Sequence, residues 1–106
     1  MDNKYDIYIC YSRKDLEYAR AITRIIESGG YSCFVDYNGI YSGDDFAMRI
    51  NDAIERCSLF VFLLSENTNQ SRWSLSEIST AIGLGKTILP IQIDDSSAEG
   101  RIDFML

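Results

Sequence analysis

LFVFLL, residues 59–64, is an unbroken run of apolar side chains. A strand with one wet face alternates apolar with polar residues, so this run predicts a parallel strand covered on both faces, in the middle of a sheet. The segments on either side fit that reading. Before it, a helix is predicted from about Asp44 to Arg56, turning Phe46, Ile50, Ala53 and Ile54 inward, with Asp44 and Asp45 suited to its positive N-terminus. That helix follows a strand, YSCFVD (31–36), and a glycine-punctuated loop, YNGIYSGDD (37–45). Further back, YDIYICY (5–11) reads as the first strand. SRKD (12–15) has the form of a capping box that opens a helix to about Ser28, with an apolar stripe of Leu16, Ala19, Ile22, Ile25 and Ile26 and a stop at Gly29-Gly30.

After the central run, the polar stretch SENTNQSR (65–72) leads to a helix from about Trp73 to Leu84, closed by Gly85. TILPIQID (87–94) is a fourth strand that Pro90 weakens or pushes toward an edge. GRIDFML (100–106) reads as the start of a fifth. The alternation predicts an α/β domain, a doubly wound parallel sheet of four to five strands with helices on both faces. Ligands collect beyond the carboxyl ends of such strands, near the switch in strand order. Ser12-Arg13, Asn38 to Asp45 and Ser65 to Trp73 should therefore open at one end of the sheet.

The chain has 106 residues, 46% hydrophobic and 25% charged, enough for one core and one domain over 1–106. Its stop at an apolar strand without a covering helix is expected of the N-terminal part of a longer chain that lacks its last helix here. With no histidine, His-based triads and general bases and most catalytic zinc sites are excluded, and no metal site is expected. A formal net charge of -6 argues against nucleic-acid or anionic-membrane surfaces, which need clustered Lys and Arg. Cys10, Cys33 and Cys57 are odd in number and far apart, as buried, reduced thiols would be. There is no apolar run of about 18 residues and no secretory signal at the start, so a soluble, cytoplasmic domain is expected.

Within SRWSLSEIS (71–79), Trp73 and Glu77 stand four residues apart, so on a helix an indole and a carboxylate project from one face. Glu77 is then either a solvated helix residue beside a packed tryptophan or half of a binding site. Trp73 anchors the core or walls a pocket. Ser12 reads first as a helix cap, one that also donates to a ligand along with neighbouring amides. Arg13 is either solvated or a cationic fork for a phosphate. Gly39 and Gly43 permit turns, and Asp36 is a loop acceptor at the end of the second strand.

Three stretches, YDIYICYSRKD, GYSCFVDYNGIYSGDDFAMRINDAIERCS and FVFLLSENTNQSRWSLSEISTAIGLGKTILPIQID, together resemble the Toll/interleukin receptor (TIR) domain of the bacterial, NAD-cleaving kind. The resemblance covers nearly the whole chain and implies the flavodoxin-like TIR fold. It also implies an NAD+ nucleosidase, activated by self-assembly, that breaks the nicotinamide–ribose bond, with Glu77 catalytic and ADP-ribose or a cyclic form as product. Tyr11, Ser12, Arg13, Asp36, Ile40, Gly43 and Trp73 would contact NAD+, which is substrate, so no cofactor is implied. Nicotinamide is a good leaving group, and one carboxylate suffices to stabilise the oxocarbenium-like cation left behind. The loop 38–45 would be lid and docking surface for neighbouring TIR domains, although Ser42 stands where the family commonly has proline. A fused C-terminal sensor, such as a cyclic-dinucleotide (STING-like) receptor, and antiphage defence signalling are the implied setting. The alternative is a non-catalytic TIR scaffold. A phosphoacceptor receiver domain fails, because Ser12-Arg13 and Leu64-Ser65 stand where its acidic residues would be.

Overall fold

The computed structural model describes residues 5–35 and 43–95, without the side chains of 43–47. Four parallel strands, β1 (Ile7–Cys10), β2 (Cys33–Phe34), β3 (Leu59–Leu64) and β4 (Ile88–Gln92), lie in the order β2-β1-β3-β4. The run LFVFLL is thus a central strand, between β1 (Ile7 opposite Leu59, Cys10 opposite Phe62) and β4 (Phe60 opposite Ile88, Leu64 opposite Gln92). Among the described residues, β4 has β3 as its one neighbour, and Pro90 stands opposite Phe62 in that ladder.

Both faces of β3 are covered. Phe60, Phe62 and Leu64 pack with Ile54 of α2 (Gly43–Arg56) and with Ile78 and Ala81 of α4 (Arg72–Gly83). Val61 and Leu63 turn the other way, onto Ala19 and the flanking Leu16, Ile22 and Ile26 of α1 (Leu16–Ser28). An aromatic stack crosses three strands on the α2/α4 face. Tyr8 lies 5.4 Å from Phe34 and 5.2 Å from Phe60 between ring centroids, at interplanar angles of 14° and 6°. The register that sets Tyr8 opposite both phenylalanines produces this column.

Three local expectations are corrected. Ser12 caps the turn after β1 by accepting from the Lys14 amide, but Arg13–Asp15 make a single 3-10 turn before α1 starts at Leu16. The Asp15 carboxylate does not reach back to close a capping box, because it is bound to Ser65 and Asn67. On α1, Ile25 is 71% exposed, and buried Thr23 takes the place in the stripe that periodicity gave to it. The stretch predicted as a polar lead-in holds a short helix, α3 (Glu66–Asn69). Its capping box joins Ser65 and Thr68, with the Ser65 amide donating to Thr68 Oγ1 at 2.8 Å and the Thr68 amide to Ser65 Oγ at 3.2 Å.

The remaining limits shift by a few residues. β2 is shorter than 31–36, α2 starts at Gly43, and α4 starts at Arg72 because Ser71 accepts from the Ser74 amide. Ile50, Ala53 and Ile54 of α2 are buried as expected, while Phe46 falls among the side chains not described. The expected fifth strand lies outside the described residues. Among those residues, no helix is long and apolar enough to cross a membrane.

Lys86, just before β4, closes the C-terminal end of α2. Its ammonium donates to the carbonyl oxygens of Glu55 and, at 2.9 Å, Cys57. These are the unpaired carbonyls at the negative end of a helix dipole. Lys86→Met should therefore lower stability by about 1–2 kcal/mol in urea unfolding. An unchanged midpoint would show that water replaces the ammonium without cost.

Candidate functional site

The chain runs from β1 outward to β2 and then returns to the other side of β1 as β3, so strand order switches between β1 and β3. The segments leaving these two strands diverge, and a cavity of about 510 Å³ opens between them at their carboxyl ends. Tyr11, Ser12, Arg13 and Lys14 form the wall after β1, and Asn67, Gln70, Ser71 and Trp73 the wall after β3. Glu77 lines the cavity from α4, and Tyr8 and Ile9 line it from β1.

Five of the residues singled out from the sequence thus meet around one space: Tyr11, Ser12, Arg13, Trp73 and Glu77. Asp36 and Ile40 lie outside the described residues, as do 38–42 of the loop. Gly43 is the first residue of α2. Tyr8, Ile9, Lys14, Asn67, Gln70 and Ser71 line the space too, without a mark in the sequence as site residues. Asn67 and Gln70 belong to the polar lead-in, and only their i, i+3 spacing on a helix would have marked them as neighbours on one face.

Glu77 is only 8% exposed and so is not a solvated surface residue, whereas Trp73, one turn earlier on α4, is 43% exposed. The carboxylate sits deep and the indole sits nearer the mouth. Behind Glu77 lies Cys10, the last residue of β1, fully buried, with its sulfur 3.9 Å from the Ser74 carbonyl oxygen. Burial, followed by the charge of Glu77 and a hydrogen bond to it, holds the Cys10 thiol well above its ordinary value of 9.0. The thiol is therefore a neutral neighbour of the carboxylate and competes with it for no cation.

Arg13 and Lys14 are exposed and bring two positive charges to the wall after β1. The arrangement places a buried carboxylate, a flat aromatic surface and a cationic rim around a space large enough for part of a nucleotide. Such a carboxylate, shielded from water, stabilises positive charge that develops beside it. The rim suits phosphate oxygens. Among the described residues, no three His, Cys, Asp or Glu side chains converge as metal ligands would.

The thiols give a pH prediction. On β2, burial followed by the charges of Glu27 and Asp6 pushes Cys33 up to about 11. A raised native value contributes stability that is fully present below the unfolded value and is lost as pH rises through the folded one. The native state should therefore weaken from about pH 9 upward, the Cys33 share disappearing by about pH 11. Cys10→Ser and Cys33→Ser should each reduce the fall in urea midpoint between about pH 8 and about pH 10. Falls equal to that of the unaltered protein would show that neither thiol carries the effect.

A family model described as "TIR domain" matches residues 7–104. A relative named "Putative cyclic ADP-D-ribose synthase TIR2", from Cytobacillus dafuensis, is 27% identical over 111 residues, covering 95% of this chain and 28% of its own length. "Probable 2' cyclic ADP-D-ribose synthase BdTIR", from Brachypodium distachyon, is 25% identical over 97 residues, covering 88% of this chain and 42% of its own. The chain thus spans less than half the length of these curated relatives. Among solved structures, the TIR domain of the Toll-related receptor TRR-2 from Hydra magnipapillata superposes with a TM-score of 0.80 at 26% identity, covering 97% of this chain and 82% of that one. Agreement over nearly the whole length, in sequence and in the path of the backbone, makes this chain a member of the TIR domain family.

Proposed function

We propose that this domain cleaves NAD+ between nicotinamide and ribose, with Glu77 as the catalytic carboxylate. The observation that carries the reading is the burial of Glu77 in the cavity at the switch point, one helical turn from Trp73. The two relatives named as cyclic ADP-D-ribose synthases support it.

The chemistry follows from what lines the space. In NAD+ the nicotinamide ring nitrogen carries the positive charge. When the C–N bond breaks, its electron pair returns to that nitrogen, and neutral nicotinamide leaves without needing a proton. Positive charge moves to the ribose, where the Glu77 carboxylate pairs with it in a site poor in water. Water capturing the ribose carbon gives ADP-ribose, and a group of the same molecule gives a cyclic product. Trp73 offers a flat face to the base or ribose. Arg13, with Lys14 beside it, serves the pyrophosphate, and Tyr11 and Ser12 serve the sugar edge.

In this proposal, copies of the domain assemble through the loop 38–45, and Asp36, Ile40 and Gly43 complete the contacts to NAD+. A sensor region fused to the domain, or a partner, supplies the clustering. Reaction gated in this way suits defence signalling, bacterial antiphage defence included.

The test is nicotinamide release from NAD+ by the free protein and by protein crowded on a clustering support. Glu77→Gln keeps the size and removes the charge, and should slow release by about 10²- to 10³-fold without lowering thermal stability. Equal release from the two proteins would remove Glu77 from the reaction. No release from folded, clustered protein would leave the domain a TIR–TIR scaffold.

A further inference from the structure

Asp15 is buried, 7% exposed, in the turn after β1, and is not among the residues that line the cavity. Both of its oxygens are engaged by residues far away in sequence. Oδ2 accepts from Ser65 Oγ at 2.5 Å, and Oδ1 accepts from Asn67 Nδ2 at 2.7 Å. Ser65 is the cap of α3, and Asn67 lies within that helix and lines the cavity. One carboxylate therefore ties the wall after β1 to the wall after β3.

The tie also decides which way the Asn67 amide faces. A carboxylate only accepts, so the end of the amide beside Asp15 must be its nitrogen. The other end is the amide oxygen, an acceptor. Phosphate oxygens have nothing to donate to it, whereas a sugar hydroxyl, an amine or a carboxamide N–H does.

We propose that Asp15 is a positioning residue that holds Asn67 with its amide oxygen offered to an O–H or N–H donor of the bound nucleotide, making Asn67 a specificity residue. The inference rests on the NAD+ reading above and deepens it. Asn67 reads a donor group, while Arg13 and Lys14 serve the phosphates.

The experiment is steady-state nicotinamide release by the full chain under clustering, with Tm recorded for each variant. Asn67→Ala should raise KM by about 3- to 10-fold and leave kcat within about twofold, because it removes one hydrogen bond of the bound substrate. Asp15→Ala should give a similar rise, and the double variant no more than the larger single one, since Asp15 acts through Asn67. Asp15→Asn retains an oxygen for Asn67 and an N–H for Ser65, so it should stay within about twofold of the unaltered protein. If Asp15→Ala fails to fold, Asn67→Ala and Asp15→Asn still decide the matter.

Substrate analogues identify the donor. Those used lack the hydroxyl at a ribose carbon, the adenine amine or the carboxamide NH₂, and with one of them the effect of Asn67→Ala should vanish. An Asn67→Ala KM equal to that of the unaltered protein, multiplying effects in the double variant, a KM rise in Asp15→Asn as large as in Asn67→Ala, or an Asn67 effect undiminished with every analogue would each overturn the inference while the NAD+ reading stands. Failure of the unaltered protein to release nicotinamide would overturn both.

Discussion

The structure depends on β3 being dry on both faces. A strand that buries Phe60 and Phe62 on one side and Val61 and Leu63 on the other needs a helical layer on each side. Parallel neighbours joined by helical crossovers supply those layers. The same requirement brings β1 and β3 together with their carboxyl ends pointing the same way. The segments that follow must leave toward different helices, and the cavity is the gap left by that divergence.

Two buried carboxylates flank this gap and are kept there by different means. Asp15 is compensated by hydrogen bonds from a hydroxyl and an amide, which give its charge fixed partners within the protein. Glu77 faces the cavity and has a neutral thiol behind it. A carboxylate held between two walls braces a fold, whereas one that lines a cavity is also placed to answer a positive charge brought from outside.

Much of this was legible in the sequence because the relevant signals are local or periodic. The unbroken apolar run marked β3, and the four-residue spacing of Trp73 and Glu77 put them on one face of α4. What was not legible depended on competition between distant groups. Asp15 had the spacing of a capping partner for Ser12, but Ser65 and Asn67, 50 and 52 positions away, took its carboxylate. Ile25 fitted the apolar stripe by hydrophobicity, yet the rotation of α1 against the sheet buries Thr23 and leaves Ile25 in water. Helix α3 was hidden because its capping box uses threonine in place of the usual Glu or Gln. Asn67 and Lys14 carry no signal of their own, and only the fold brings them to the cavity.

The place of Trp73 has a practical consequence. It is the sole tryptophan of the chain, and it stands partly exposed at the cavity mouth. Selectively excited indole emission from this domain therefore originates at one point, free of background from the core. Changes in its colour or intensity report local wetting, stacking or covering of that mouth, making the protein a self-labelled optical sensor of whatever settles there.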